Sequence, residues 1–323
     1  MSRIESLLQG VRTAAISGHI NPDGDCVGSC LGMLCYLNDN HPEIQAEVFL
    51  QEPAPMFGFL KGSDQIRLRP RDGQIFDILI LLDISDINRV KEGAVLIPNS
   101  RKILCIDHHA TNDGHGCDYF FNDPDASSTC EVLSRMLDPE KISYDCAQAL
   151  YTGIVHDTGV FRFSCTSPDT MKIAGMLMSR GIPFTDIITD TFYKKTYAQN
   201  VMLGRVLAGA ELYFDGKFVL GSATRKDRAD LGLSSKQLDG IVNQLTNTKD
   251  AEVTAFIYEI DSGNEYKVSL RSWKYVNVSK VCMIFGGGGH FHAAGCLIKG
   301  SFEEVKALIM PEIGKALKEQ RPR

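Results

Sequence analysis

The chain has 323 residues, 44% hydrophobic and 23% charged, with a formal net charge of -6 and a sequence pI of about 5.8. Such a composition belongs to a soluble globular protein long enough for two domains, and its mild acidity excludes the broad cationic field that a binder of long nucleic acid needs. No stretch reads as a membrane span or signal peptide, and the 10 cysteines include no Cys-x-x-Cys pair, so a cytoplasmic protein with reduced core thiols is expected.

In chain order, residues 4–11 read as a short amphipathic helix and 13–17 as a strand. Gly18-His19-Ile20-Asn21-Pro22-Asp23-Gly24-Asp25 follows, and Pro22 and Gly24 fix a loop there. His19, Asp23 and Asp25 then project from one turn between a strand and a helix. Two carboxylates and an imidazole on one loop suit a hard cation. Helix capping by Asp25, with Asp23 solvated, accounts for one carboxylate and not for the set. From Cys26 the spacing turns helical, at Val27, Leu31, Leu34, Cys35 and Leu37, while Gly28, Ser29 and Gly32 would let that helix approach a neighbour closely. A second strand is expected at 47–50, a loop at 51–55 and a short helix or turn at 56–60. Arg67, Arg69 and Arg71 read as a solvated face. Residues 77–83 are almost uniformly apolar between Asp77 and Asp83, as in a central parallel strand buried on both faces, which leaves Asp83 at its carboxyl end. The run at 103–106 repeats this arrangement and ends in Asp107-His108-His109, an acid followed by two imidazoles. Helices are expected at 127–137, with Ser127 or Ser128 as cap and Glu131 in the first turn, and at 148–155, just before Asp157. This alternation predicts an α/β fold with a doubly wound, mainly parallel sheet, whose carboxyl-end loops collect the acids and histidines.

Residues 184–209 read as a helical connector. Beyond it come a hairpin at 211–223 turning on Asp215-Gly216, a helix at 234–245, strands at 253–260 and 266–271, and helices at 278–285 and 302–317. The expected organisation is a first domain at 1–185, a helical linker at 186–209 and a smaller α/β domain at 210–323. Within the second domain, Phe285-Gly286-Gly287-Gly288-Gly289-His290 has four consecutive glycines whose backbone N–H groups could line a phosphate site. No Gly-Lys-Ser/Thr follows, which excludes a Walker loop.

Four stretches together resemble the ordered motifs of the DHH phosphoesterase superfamily: His19-Ile-Asn-Pro-Asp23-Gly-Asp25, Leu82-Asp83, Asp107-His108-His109 and Gly153-Ile-Val-His-Asp157-Thr-Gly159. The glycine stretch, continued by Ala293-Ala294-Gly295, resembles the GGGH-x-x-AAG signature of the DHH-associated C-terminal domain. Val268-Ser269-Leu270-Arg271-Ser272 resembles that domain's arginine strand. The resemblance implies two divalent cations, Mn²⁺ ahead of Mg²⁺ or Co²⁺, and a two-metal hydroxide mechanism. By position, His19, Asp23 and Asp83 would hold one cation, and Asp25, Asp83, His108 and Asp157 the other. Asp83 would bridge them, His109 would face the substrate phosphate, and Asp107 would orient rather than ligate. Arg271, Gly287, Gly288, Gly289 and His290 would hold the nucleotide. Phe291-His292 stands where the family often has Pro-Gln, which bears on base or size preference.

Within the superfamily, the two-domain form resembles the bifunctional oligoribonuclease and pAp phosphatase group. Its implied substrates are short RNA, linear dinucleotides such as pApA, and pAp, released as nucleoside monophosphates. The same resemblance implies no long nucleic acid, no membrane, and compatibility with a homodimer. The nearest alternative is a cyclic dinucleotide (c-di-AMP) phosphodiesterase. An alternative of another class is a catalytically silent nucleotide or RNA sensor.

Overall fold

Five runs of the first half pair into one parallel sheet in a computed structural model of the chain, which describes residues 3–86, 90, 93–238, 240–261 and 263–319. They are β1 (Thr13–Ser17), β2 (Gln45–Phe49), β3 (Ile78–Leu82), β4 (Ile103–Asp107) and β5 (Tyr119–Asn122), in the order β2-β1-β3-β4-β5. Every residue of β3 and β4 is buried, because both faces of the sheet are covered. On one face, Ile16, Ile80 and Leu104 share a core with α1 (Arg3–Leu7), α2 (Gly24–Asn40), α3 (Thr129–Met136), α4 (Tyr144–Asp157), α5 (Pro168–Met178) and α6 (Phe184–Ile188). The intervening Leu79, Leu81 and Cys105 point the other way, and among the described residues Ile84, Val90 and Leu96 cover them without an α-helix.

Helix α2 is buried at every position from Gly24 to Leu37, so it is a core helix rather than an amphipathic surface one. Its small residues permit this. A Cβ at Gly28 would stand 2.6 Å from the carbonyl oxygen of Ala149 on α4. Substitution there would push apart the two helices that carry Asp25 and Asp157.

The chain divides into two units, Met1–Lys194 and Lys195–Arg323. The second begins with α7 (Tyr197–Ala208) and builds a six-stranded sheet from β6 (Glu211–Tyr213), β7 (Phe218–Ala223), β8 (Val253–Glu259), β9 (Glu265–Ser272), β10 (Gly288–His290) and β11 (Ala293–Lys299). The order is β10-β11-β9-β8-β7-β6, antiparallel except where β7 meets β8. After β7 comes α8 (Arg225–Asp230), and α9 (Ile241–Leu245) packs with α7 on one face of the sheet. On the opposite face lie α10 (Val278–Ile284) and α11 (Phe302–Glu319).

One expectation is corrected here. The helix expected at 234–245 is instead a 3-10 turn, Ser235–Leu238, followed by α9, because Gly240 takes a left-handed φ of +90° between them. The connector expected at 184–209 is helical in pieces. It consists of α6, a π-helical turn at Thr189–Tyr193, and α7, which restarts at a capping box formed by Thr196 and Gln199. Part of the glycine stretch is itself strand, where β10 pairs with β11 at Gly288–Gly295, Gly289–Ala294 and His290–Ala293.

Candidate active site

A doubly wound sheet of this order reverses between β1 and β3, and ligands gather outside the carboxyl ends of its strands there. Asp83 follows β3 at that position, 2% exposed, with a left-handed φ of 58° that Asp tolerates better than most residues. Its Oδ2 lies 3.4 Å from His19 Nε2, beyond the end of β1. Its Oδ1 lies 3.7 Å from His108 Nε2 and 3.6 Å from His109 Nδ1, beyond the end of β4. His19 Nε2 is 3.7 Å from Asp23 Oδ1, and His108 Nε2 is 3.2 Å from Asp157 Oδ2. Two ligand atoms each about 2.1 Å from a shared cation, at tetrahedral or octahedral angles, stand roughly 3.0–3.4 Å apart. The donors are already near that spacing.

The two acids of the first loop sit in different surroundings. Asp23 is the cap of α2, its Oδ1 accepting from Asp25 N at 3.1 Å and Cys26 N at 3.2 Å, while its side chain stays 59% exposed. Asp25 is fully buried and reaches a different helix. Its Oδ2 accepts from Thr129 N at 2.7 Å and its Oδ1 from Cys130 N at 2.9 Å, the first amides of α3. A carboxylate there is favoured by unsatisfied N–H groups and by the helix dipole. Gly153 on α4 makes the room, since a Cβ there would lie 2.8 Å from Asp25 Oδ1. Asp157, at the end of the same helix, faces His108.

Hydrogen bonds set the imidazoles. His19 Nδ1 lies 2.7 Å from the Ile20 carbonyl, which fixes a proton there and aims Nε2 at Asp83, where a cation would take the place of the Nε2 proton. His109 Nδ1 lies 2.9 Å from Oδ1 of Asp107, a fully buried acid whose Oδ2 accepts from Asn112 Nδ2 at 2.8 Å. Asp107 thus orients His109. Thr129 Oγ1 bridges two of the acids, 3.3 Å from Asp83 Oδ1 and 3.5 Å from Asp107 Oδ1. Neither Thr129 nor Asn112 stands out in the sequence, because each acts through a fold contact rather than a motif.

The charge here is unbalanced. Burial and then the nearby Asp25 raise the Asp83 carboxyl above its usual range. Burial also raises Asp25, to about 6, against the lowering effect of the Cys130 and Thr129 donors. Asp157 is pushed well above the ordinary value by burial, then by Asp25, Asp23 and Asp83. Burial alone would lower His19, but its contacts with Asp23 and Asp83 outweigh that and hold it at about 12. His109 is likewise raised, with Asp107 overcoming burial. Acids crowded in this way favour any cation that can replace their protons.

Three groups of donor atoms each fall within 4.8 Å: His19, Cys26 and Asp83; Asp83, His108 and His109; Asp25, His108 and Asp157. Cys26 is a donor that the motifs do not mark. Burial pushes its thiol well above the ordinary value, and its Sγ lies 4.0 Å from the His19 carbonyl, so it remains a neutral thiol. The charged oxygens and imidazoles around it suit a cation of the Mn²⁺ or Mg²⁺ kind.

The nucleotide-holding residues expected in the second unit come together in part. Arg271, Gly288 and Gly289 line a cavity of ≈ 330 Å³ with Lys267, Ser269 and Tyr258. Arg271 is braced there, Nε donating to Asn243 Oδ1 at 3.0 Å and Nη1 to Leu270 O at 2.9 Å. Gly287 does not line this cavity, and its N–H donates to Cys282 O at 2.9 Å, at the end of α10. The His290 side chain lies outside the described residues.

Residues 13–154 match the DHH family, N-terminal domain, and residues 216–319 match the DHHA1 domain. The chain carries a DHH-family N-terminal domain and a DHHA1 domain. Its relatives include the bifunctional oligoribonuclease and PAP phosphatase NrnA of Thermus thermophilus, 27% identical over 93% of this chain and 90% of the relative. The protein of the same name from Bacillus subtilis is 26% identical over 92% of each. Among solved structures, an exopolyphosphatase-related protein from Bacteroides fragilis superposes with a TM-score of 0.89 at 25% identity, covering 97% of this chain and 94% of the other. An exonuclease RecJ bound to manganese shares the DHH fold, with a TM-score of 0.54 at 12% identity over 97% of this chain and 92% of the other. Among the described residues no helix is long and apolar enough to cross a membrane.

Proposed function

We propose that this DHH protein is a metal-dependent phosphoesterase that hydrolyses short oligoribonucleotides, linear dinucleotides such as pApA, and/or pAp to nucleoside monophosphates. The observation that carries the reading is the convergence of His19, His108 and His109 on the two oxygens of one buried carboxylate, Asp83. The names of the Thermus and Bacillus relatives support the substrate class.

In this reading His19, Asp23 and Asp83 hold one divalent cation, and Asp25, Asp83, His108 and Asp157 a second, with Mn²⁺ ahead of Mg²⁺ or Co²⁺. Bound there, the cations supply Lewis acidity to the phosphoryl oxygens and acidify an attacking water. Asp83 directs Oδ2 to the His19 side and Oδ1 to the His108 side, so one residue spaces both clusters. His109, with Nδ1 held by Asp107 and its basicity raised, offers Nε2–H to a phosphate oxygen. Asp25 keeps its geometry through the α3 amides rather than through a flexible side-chain contact. Arg271 and Lys267 bring positive charge to a nucleotide phosphate, where a guanidinium can bond two oxygens at once.

The mild net acidity of the chain favours short substrates, because a long strand would gain few further phosphate contacts. The test is a turnover panel of pAp, pApA, a pentanucleotide, a long single strand and c-di-AMP, each in chelator, Mn²⁺ and Mg²⁺. Expected is cation-dependent release of monophosphates, with the short linear substrates ahead. No turnover of any of them by cation-replete protein would overturn the reading in favour of a silent sensor.

A further inference from the structure

Lys267, Ser269 and Arg271 occupy alternate positions of β9 and line the cavity, whereas Val268 and Leu270 between them are buried in the core on the opposite face. The ladder with β8 continues beyond Ser272, because Trp273 N–H donates to Glu252 O at 2.9 Å. Trp273 opens the bend that follows β9, two residues after Arg271, so it stands next to the cavity's lining rather than within it. It is the chain's sole tryptophan and is 63% exposed.

Its mount is firm. The Glu252 side chain, on a residue only 5% exposed, accepts from Lys274 N at 3.1 Å, Tyr275 N at 2.7 Å and Val276 N at 3.0 Å. These bonds fix the turn that carries the indole. On the other flank, Ser272 N–H donates to His292 O at 3.0 Å, and Ser272 Oγ lies 2.9 Å from His292 Nδ1. That brings the turn holding Phe291, 45% exposed, to the same end of the sheet.

We propose that Trp273 is a nucleobase platform, on which the base of the nucleotide whose phosphate meets Arg271 is stacked. This rests on the cavity being a nucleotide site, as the proposed function has it. A flat apolar ring continuing a strand of cationic side chains matches a nucleotide, which presents a π-face at one end and an anion at the other. Because its surroundings already hold the ring's backbone, little freedom is lost on binding. Every base has a π-face, so the platform separates nucleotides from base-free phosphates more than it separates one base from another.

The sole tryptophan allows a direct test on the full chain. AMP is expected to quench the fluorescence of Trp273, and ribose 5-phosphate is not. By calorimetry, Trp273→Ala should weaken AMP about 5- to 150-fold, the range for one base on one aromatic side chain, while ribose 5-phosphate stays within about twofold. Trp273→Tyr should recover most of the affinity and Trp273→Leu should not. Unchanged AMP affinity in Trp273→Ala, or equal losses for AMP and ribose 5-phosphate, would overturn the platform. If wild-type protein hydrolyses pApA while either result holds, the platform falls and the proposed function stands. Wild-type protein that neither turns over pApA nor binds AMP would remove both.

Discussion

Around Asp83, the side chains of the first unit come from separate stretches: the loop after β1, the end of β3, the end of β4 and the end of α4. Around Arg271, the polar side chains that line the second unit's cavity come mostly from one strand, at Lys267, Ser269 and Arg271, with Tyr258 from its neighbour. The first arrangement is rich in buried acids that raise one another's proton affinity, and the second offers cations over a wall of backbone. Segments distant in sequence can be forced together against their own repulsion only by a rigid sheet and close-packed helices. A strand carries its stripe by period alone. The acidic centre should therefore respond sharply to cations and pH, and the cavity to ligand shape.

The largest expected effect tests whether Asp83 really joins the two sides of the first centre. Asp83→Asn keeps a residue that tolerates the left-handed backbone while removing the charge. Hydrolysis of pApA should fall by at least about a hundredfold, roughly 2.7 kcal/mol of barrier, and the rise in melting temperature caused by Mn²⁺ should shrink. Near-normal kcat in folded, cation-replete Asp83→Asn protein would end the bridging assignment.

On the cavity side, Arg271→Ala should raise KM for pApA about tenfold or more, and lower kcat as well if the contact positions the reacting bond. Hydrolysis of bis-p-nitrophenyl phosphate, which carries no nucleotide, should suffer much less. Equal losses on both esters would make Arg271 a general structural residue and blur the contrast between the units.

A pH series sharpens the contrast further. Burial pushes the Asp25 carboxyl up to about 6 in the fold, above its ordinary 3.8. Below about pH 4 its carboxyl is protonated whether the chain is folded or not. Between about pH 4 and 6 the unfolded chain gives up that proton first, so the cation-free fold loses stability as pH rises, and raised Asp83 and Asp157 act in the same direction. His19, held near 12, stays protonated in both states over most of this window. The stabilisation by Mn²⁺ should accordingly be larger at pH 7 than at pH 5, measured as the difference in melting temperature between Mn²⁺ and chelator. A larger effect at pH 5 would reverse the assigned sign.

The smallest effect concerns Thr129. Removing its hydroxyl in Thr129→Val deletes bonds to Asp83 and Asp107 while keeping the side-chain shape. A loss of about three- to tenfold in kcat is expected, the scale of one hydrogen bond of about 1 kcal/mol. An unchanged rate would show that the acids hold their places without it.

Much of this contrast was legible before any coordinates. The uniform apolar runs ending in Asp83 and Asp107 announce parallel strands and place both acids at carboxyl ends, since only strands covered on both faces dispense with alternation. Helix α2 declared itself through its glycines as well as its spacing. Strand β5 did not, because Tyr119-Phe120-Phe121-Asn122 is too short and too unevenly buried to show a period. Helix α5 did carry a signal in Ser167-Pro168-Asp169-Thr170, where a capping box precedes a weak apolar stripe. The burial of Asp25 against the start of α3 was not readable. It depends on where α3 begins in space, more than a hundred residues further along the chain. Nor was the pairing of the glycine run readable, because four residues without side chains show no strand period, although the hairpin with β11 and the end of α10 account for much of their backbone.

The bonds from Thr129 and Cys130 to Asp25 make two backbone amides into a gauge of the acid they hold. An amide bonded to a buried carboxylate gives up its hydrogen to solvent only when that corner of the fold opens. When Asp25 takes a proton, it becomes a weaker acceptor and the start of α3 loosens. When a cation replaces the proton, the negative oxygens and the helix end tighten together. Isotope exchange at these two positions would therefore follow the filling of the centre without substrate or turnover, at a point in the chain that no metal-binding motif would single out.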